Sequence, residues 1–420
     1  MSESKALSAL EAAFDFRDEA PELCGELFRA APWLARACED WRRALPLPAT
    51  SRAFVEPPWY RPPGSHRCVY YCPASLDRNA LPTTPRGCAV AALKGLEPAL
   101  PELTDMFRGF DRPCYSPHNI LEHLVFEEKK VPGCLTVDEA LREALAARMI
   151  QRAHLRHYGS LARLPFPLFV FRHRPETNTR IREQLQSFLS EAAFHALRPS
   201  LEAGLAVYVY YYPTPPVRVR DIESTLEGLS FQRRSLKLLT LCDPERVIER
   251  WVQGVTRMLY LGVLPASLAS LHTGSCCQPQ NACLDGGFVD LDSLTPLDSL
   301  PSPTAVDAAL EFSMSCMRDS VRALVMGSLD PTRPEGGHGR FDLHYLTRYL
   351  ERVFERALHT ESAPGLSLDP RIQRYFAGPS ELADLVDVLG TYYSRTDGAF
   401  AERCVDFAPF GNWLMSATRS

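Results

Sequence analysis

The chain has 420 residues, 45% of them hydrophobic and 23% charged, which describes an ordinary globular protein with room for one large core or two to three domains. A formal net charge of −5 supplies no broad basic field, so nucleic acid is not the expected partner. The opening "MSESKALSALEAAFDF" carries no secretory pattern, and apolar runs such as "LAVYVYYY" are too short to span a bilayer. With an odd count of thirteen cysteines and no Cys-x-x-Cys pair, these features point to a cytoplasmic chain with buried free thiols, no zinc site and no membrane partner.

Residues 6–46 read as a helical leader, with Leu27, Trp33, Leu34 and Trp41 at helical intervals. The Pro-rich stretch 46–65 then reads as irregular. Two strand-like runs follow, "RCVYYCP" and "CAVAALKG", the second ending in Lys94-Gly95. After a loop with a short helix over 97–113, "TVDEALREALAARMIQRAHLRHYG" predicts a long helix. Thr136 is placed to cap it, Glu139 stands at the capping-box position and Gly159 ends it. "FPLFVFRHR" and "GLAVYVYYYP" read as strands joined by a helix over about 180–200. Beyond about residue 220 the pattern turns helical: "PERVIERWVQGVTRMLYLGVL", "SPTAVDAALEFSMSCMRDSVRALVMGS" and "RFDLHYLTRYLERVFERAL" are amphipathic.

Between the first two of these helices lies "CCQPQNACLDGGFVDLDS". Asp285-Gly286-Gly287 supplies the positive-φ positions of a tight turn, and "ACL" and "FVDL" read as two short strands. A hairpin brings its ends together, so Asn281 and Asp290 would face each other with hard oxygen donors suited to Mg²⁺. The predicted organisation is therefore α+β, a protein-kinase-like two-lobed fold. A helical leader (1–50) precedes a strand-rich N-terminal lobe with one long helix (51–220) and a mainly helical C-terminal lobe carrying the metal-binding hairpin (221–420). Phosphoryl and nucleotidyl transfer need a lysine for the phosphates, an acid to position it, and metal ligands on the larger lobe. Lys94 ends a strand, Glu139 and Glu143 lie on the next long helix and either could meet it, and Asn281 and Asp290 follow in that order.

An ordinary protein kinase separates its metal-binding Asn and Asp by more than the nine positions from Asn281 to Asp290. The shorter spacing resembles the selenoprotein O family of protein adenylyltransferases, in which "HGVMNTDN" is followed after a short hairpin by "IDYGPF". Here "GSCCQPQN" precedes "ACLDGGFVDLDSL", "CAVAALKGLEP" resembles the family's "QLKGAG", and "RWVQGVTRMLYLGVLPASLASLHTG" resembles the preceding family helix. The resemblance covers roughly 80 of the 420 residues. It implies a kinase-like fold, ATP and Mg²⁺ as cofactors, Asn281 and Asp290 as metal ligands, Lys94 as the phosphate contact and a hydroxyl on a protein or peptide as acceptor. The family's acid just before the metal Asn is Gln280 here, which cannot take a proton, leaving Asp292 as a displaced base or second metal ligand. The family's "PTTRAL" arginine falls near Leu168. Two other readings stand beside a transferase: a pseudokinase-like nucleotide-binding or scaffolding protein, and an all-helical interaction protein with Lys94 at its surface. No Gly-x-Ser-x-Gly elbow supports serine hydrolysis.

Overall fold

The computed structural model describes residues 10–15, 21–30, 34, 59–60, 68–71, 90–95, 125, 130–131, 133–213, 218–219, 244–269, 272–300, 302–328 and 343–377. Most of the Pro-rich stretch 46–65, the loop and helix expected over 97–113 and the side chains of Trp33 and Trp41 lie outside these residues.

The fold is mixed α and β of the α+β kind, and every described strand pairing is antiparallel. Seven strands form the main sheet: β1 (Leu10–Asp15), β2 (Trp59–Tyr60), β3 (Cys68–Tyr71), β4 (Val90–Lys94), β5 (Leu135–Thr136), β6 (Phe166–His173) and β7 (Leu205–Tyr212). Their order is β1-β6-β7-β4-β3-β2. β4 and β5 share one edge of β7, β5 opposite Leu205 and Ala206 and β4 opposite Tyr208 to Tyr212. Gly95 lies between the two pairings at φ +94°, and a Cβ there would stand 2.5 Å from the Ala206 carbonyl, so only glycine fits. The strand reading of "CAVAALKG" holds, and Lys94 is buried rather than at the surface, which removes the all-helical reading.

Every residue of β7 is buried. Tyr208, Tyr210 and Tyr212 form one cluster with Ala140 and Ala144 of helix α2 (Val137–Tyr158). Small side chains four apart on a helix let its axis approach a sheet whose facing residues are large. Both predicted caps of α2 form: Thr136 Oγ1 accepts from the Glu139 amide at 3.2 Å, the Thr136 amide donates to Glu139 Oε2 at 2.8 Å, and Gly159 closes the helix at φ 67°.

The helical part comprises α5 (Pro244–Tyr260), α6 (Pro303–Ser328), α7 (Leu343–Thr360) and α8 (Pro370–Ala377), which share a second core around Trp251, Val255, Leu310 and Phe354. α1 (Pro21–Ala30), α3 (Pro175–Phe188) and α4 (Glu191–Glu202) complete the described helices. Among the described residues no helix is long and apolar enough to cross a membrane.

Three expectations are corrected. Leu10–Asp15 is not helical but an edge strand paired antiparallel with β6, with a register shift between Ala12 and Phe14, a conformation the sheet edge selects over the helical spacing. The single helix expected over about 180–200 is two, because Ser190 caps a new start by accepting from the Ala193 amide. The helix before the hairpin ends at Tyr260; Gly262 takes φ 73°, and "ASLA" and "HTGS" pair as β9 (Ala266–Ala269) and β10 (His272–Ser275) beyond the short β8 (Val263–Leu264).

Candidate functional site

The turn Asp285-Gly286-Gly287 forms, with Gly286 alone of the three at positive φ, 89°. Asp285 Oδ1 accepts from the Gly287 amide at 3.0 Å, the Gly286 amide donates to the Cys283 carbonyl at 3.0 Å, and the Cys283 amide donates to the Gly287 carbonyl at 2.9 Å. The flanking segments are shorter than two strands: Ala282 and Phe288 make a single bridge, and Arg218 bridges Cys283 on the other side. A Cβ on Gly287 would collide with the Tyr212 hydroxyl and the Arg163 carbonyl, so the turn is packed against β7. Trp251 of α5 fixes the hairpin from the helical side by donating Nε1–H to the Cys283 carbonyl at 2.9 Å.

At the open end the Val289 amide donates to the Asn281 carbonyl at 2.9 Å, which brings Asn281 within one residue of Asp290 across the ladder. Asp290 adopts φ 63°, the sole non-glycine positive φ among the described residues. Among residues other than glycine the left-handed conformation is tolerated best by Asn and Asp, and it turns the chain into the 3-10 turn Leu291–Ser293 that packs on α2.

Lys94, Glu143 and Asp290 meet. Lys94 Nζ donates to Glu143 Oε2 at 2.6 Å and also to Asp290 Oδ1. The lysine and glutamate side chains are 6% and 1% exposed, whereas that of Asp290 is 31% exposed, so the cluster opens on the aspartate side. Glu139 is not the partner, because the capping box at the start of α2 occupies it. Burial alone would lower the Lys94 ammonium, but Asp290 and then Glu143 override it and hold it well above the usual lysine range. Burial alone would raise Asp290; Lys94, with Lys130 and Arg218, holds it well below the usual carboxylate range. Glu143 is pushed up to about 7 by burial, with Lys94 opposing and Asp290 and Asp292 adding to the rise. Asp292 is raised by burial and then by the charge of Asp290.

Lys130 and Arg218 escaped the sequence reading. Their charges help lower Asp290, Lys130 from just before β5 and Arg218 from the segment after β7 that bridges Cys283, and neither sits in a recognisable motif. Gln280 is half-buried and donates Nε2–H to Gln278 Oε1 at 2.7 Å, an amide pair with no proton acceptor of catalytic strength.

The oxygen set fits a hard cation. Asn281 donates Nδ2–H to the Ser275 carbonyl at 3.1 Å, which fixes the amide and leaves its buried Oδ1 without a hydrogen-bond partner. Glu143 Oε1 is likewise buried and unpartnered. Buried acceptors left so cost about 1–3 kcal/mol each, which a bound cation or donor would offset. Among the described residues no three His, Cys, Asp or Glu side chains converge as an all-protein metal cage. Mg²⁺ does not need one, since it takes one or two protein oxygens and completes its shell from phosphates and water. The seven described cysteines are buried, and none is in a disulfide. Compared with known protein families, curated proteins and solved structures, the chain matches none.

Proposed function

We propose that the chain is an ATP- and Mg²⁺-dependent transferase of protein-kinase-like, two-lobed fold, moving a nucleotidyl (AMP) or phosphoryl group to a hydroxyl acceptor. The observation that carries this reading is one buried ammonium, Lys94 Nζ, bound by carboxylates 49 and 196 residues away, from the long helix and from the hairpin. A lysine so placed stays protonated at neutral pH and offers its charge to a polyphosphate, while Glu143 fixes where it points. Asn281 and Asp290 would hold Mg²⁺, which would supply positive charge against a bound polyphosphate. The positive charges of Lys130 and Arg218 also act on Asp290. Asp292, in the 3-10 turn that follows Asp290, would receive the acceptor's proton in the absence of an acid at 280.

A second reading, a nucleotide-binding pseudoenzyme, is favoured by the Gln280–Gln278 pair, where a base would be expected. Calorimetry of ATP with and without Mg²⁺, on the native chain and on Asp290→Asn, tests both. Magnesium-dependent binding lost in the variant supports them; no binding to the native chain sinks both. Incubation with α- and γ-labelled ATP then separates them. Protein-bound α-label marks AMP transfer, γ-label marks phosphoryl transfer, and neither leaves the pseudoenzyme.

A further inference from the structure

A cavity of about 500 Å³ lies at the other end of the hairpin, beside Gly286 and Phe288. That is within the range of small-molecule sites. None of Lys94, Glu143, Asn281 and Asp290 lines it. Its buried lining holds the aromatic Phe166, Tyr211 and Phe288 together with the polar Gln151 and His154, while its more exposed lining carries Arg163, Arg250 and Arg257. No Asp or Glu is among the lining residues.

The arginines are held in place by the fold. Arg163 and Arg250 each donate to the Asp285 carbonyl, at 3.2 and 3.1 Å, and Arg257 is paired to Glu361 at 2.7 Å and lies 4.7 Å over the Tyr158 ring. His154 adds no charge. Its Nδ1 is 2.6 Å from the Ser160 carbonyl and must carry the proton, so Nε2 accepts from Arg257 Nη1 at 3.2 Å. Burial, with Arg257 nearby, lowers its pKa and keeps the ring neutral. A guanidinium has five N–H donors, and the bond from Arg163 to Asp285 uses one. Positioned guanidiniums above an aromatic floor recognise a planar anion joined to an apolar body.

We infer that this cavity binds a small aromatic acid, its ring against Phe166, Tyr211 and Phe288 and its carboxylate on the arginines. The inference is independent of the nucleotide reading, since the two sites share no side chain.

Calorimetric titration of the intact chain with 1-naphthoate, and with the uncharged 1-naphthamide, tests it. Naphthoate should saturate at one per chain and bind at least about tenfold more tightly than the amide, the difference expected of a charge-assisted hydrogen bond. Arg163→Gln and Arg250→Gln should each weaken naphthoate by about tenfold and leave the amide unchanged. Arg163 is exposed, so that variant carries the test if Arg250→Gln fails to fold. No saturable uptake of naphthoate, or equal binding of acid and amide with no effect of either variant, overturns the inference.

Discussion

A lysine whose side chain is 6% exposed between two carboxylates behaves differently from any surface ion pair, because removing it strands buried charge. Lys94→Met should therefore destabilise the chain by about 3 kcal/mol or more at pH 8, measured by urea unfolding. At pH 5 the loss should be smaller, since Glu143, already pushed up to about 7, can take a proton. A loss equal at both pH values would mean that Glu143 does not feel Lys94. The sign for Glu143 itself follows from linkage. Its folded pKa is raised from 4.5 to about 7, so its contribution to stability is full below 4.5 and is lost as pH rises to 7. Glu143→Gln lacks that dependence. The native chain should lose up to about 3 kcal/mol relative to the variant across this window. His154 and His173, both lowered first by burial, act in the opposite direction but are common to both proteins and cancel in the difference. A flat difference between pH 4.5 and 7 would sink the assignment.

At the scale of elements, the end of β4 depends on Gly95. Gly95→Ala would place a methyl 2.5 Å from the Ala206 carbonyl and 3.1 Å from Leu135 Cβ, at a φ that disfavours alanine. It should cost about 2 kcal/mol or more and displace Lys94, so both stability and Mg²⁺-dependent ATP binding should fall. Normal stability in that variant would show that the β4-to-β5 passage can relax. The elements around this point differ in how far they could be read from sequence. The caps of α2 were legible because Thr136, Glu139 and Gly159 act locally. The same local rule resolves which glutamate meets Lys94, for a capping box occupies Glu139 and leaves Glu143 one turn on. The Asp-Gly-Gly turn was legible for the same reason. The pairing of Leu10–Asp15 with β6 was not, because an edge strand is chosen by a partner more than 150 residues away. Nor was the β9–β10 hairpin, since "LPASLASLHTG" carries the apolar spacing of a continuing helix and the break rests on Gly262. The influence of the Lys130 and Arg218 charges on Asp290 likewise depends on tertiary placement alone.

At the scale of the molecule, α2 joins the two cores: Ala140 and Ala144 pack with the tyrosines of β7, and Ala147 and Ile150 pack with Trp251 and the helical core. The hairpin sits between the same two clusters, with Cys283 and Val289 in the first and Ala282 and Phe288 in the second. Lys94, Glu143 and Asp290 thus come from β4, from the helix that spans both cores, and from the loop wedged between them. A ligand gripped there touches parts that must all be folded for it to bind, so its binding free energy adds to global stability by mass action. Under the proposed function, MgATP at a hundredfold excess over its Kd should add about 2.7 kcal/mol, a rise of several degrees in melting temperature. ATP with the metal chelated should give much less. Asp290→Asn keeps a residue that accepts a left-handed φ but takes a carboxylate from the buried Lys94, so the variant should fold and melt below the native temperature without ligand, and show no MgATP shift above its own baseline. A shift in Asp290→Asn equal to that of the native chain would place the nucleotide elsewhere and leave the Lys94–Asp290 pair a purely structural contact.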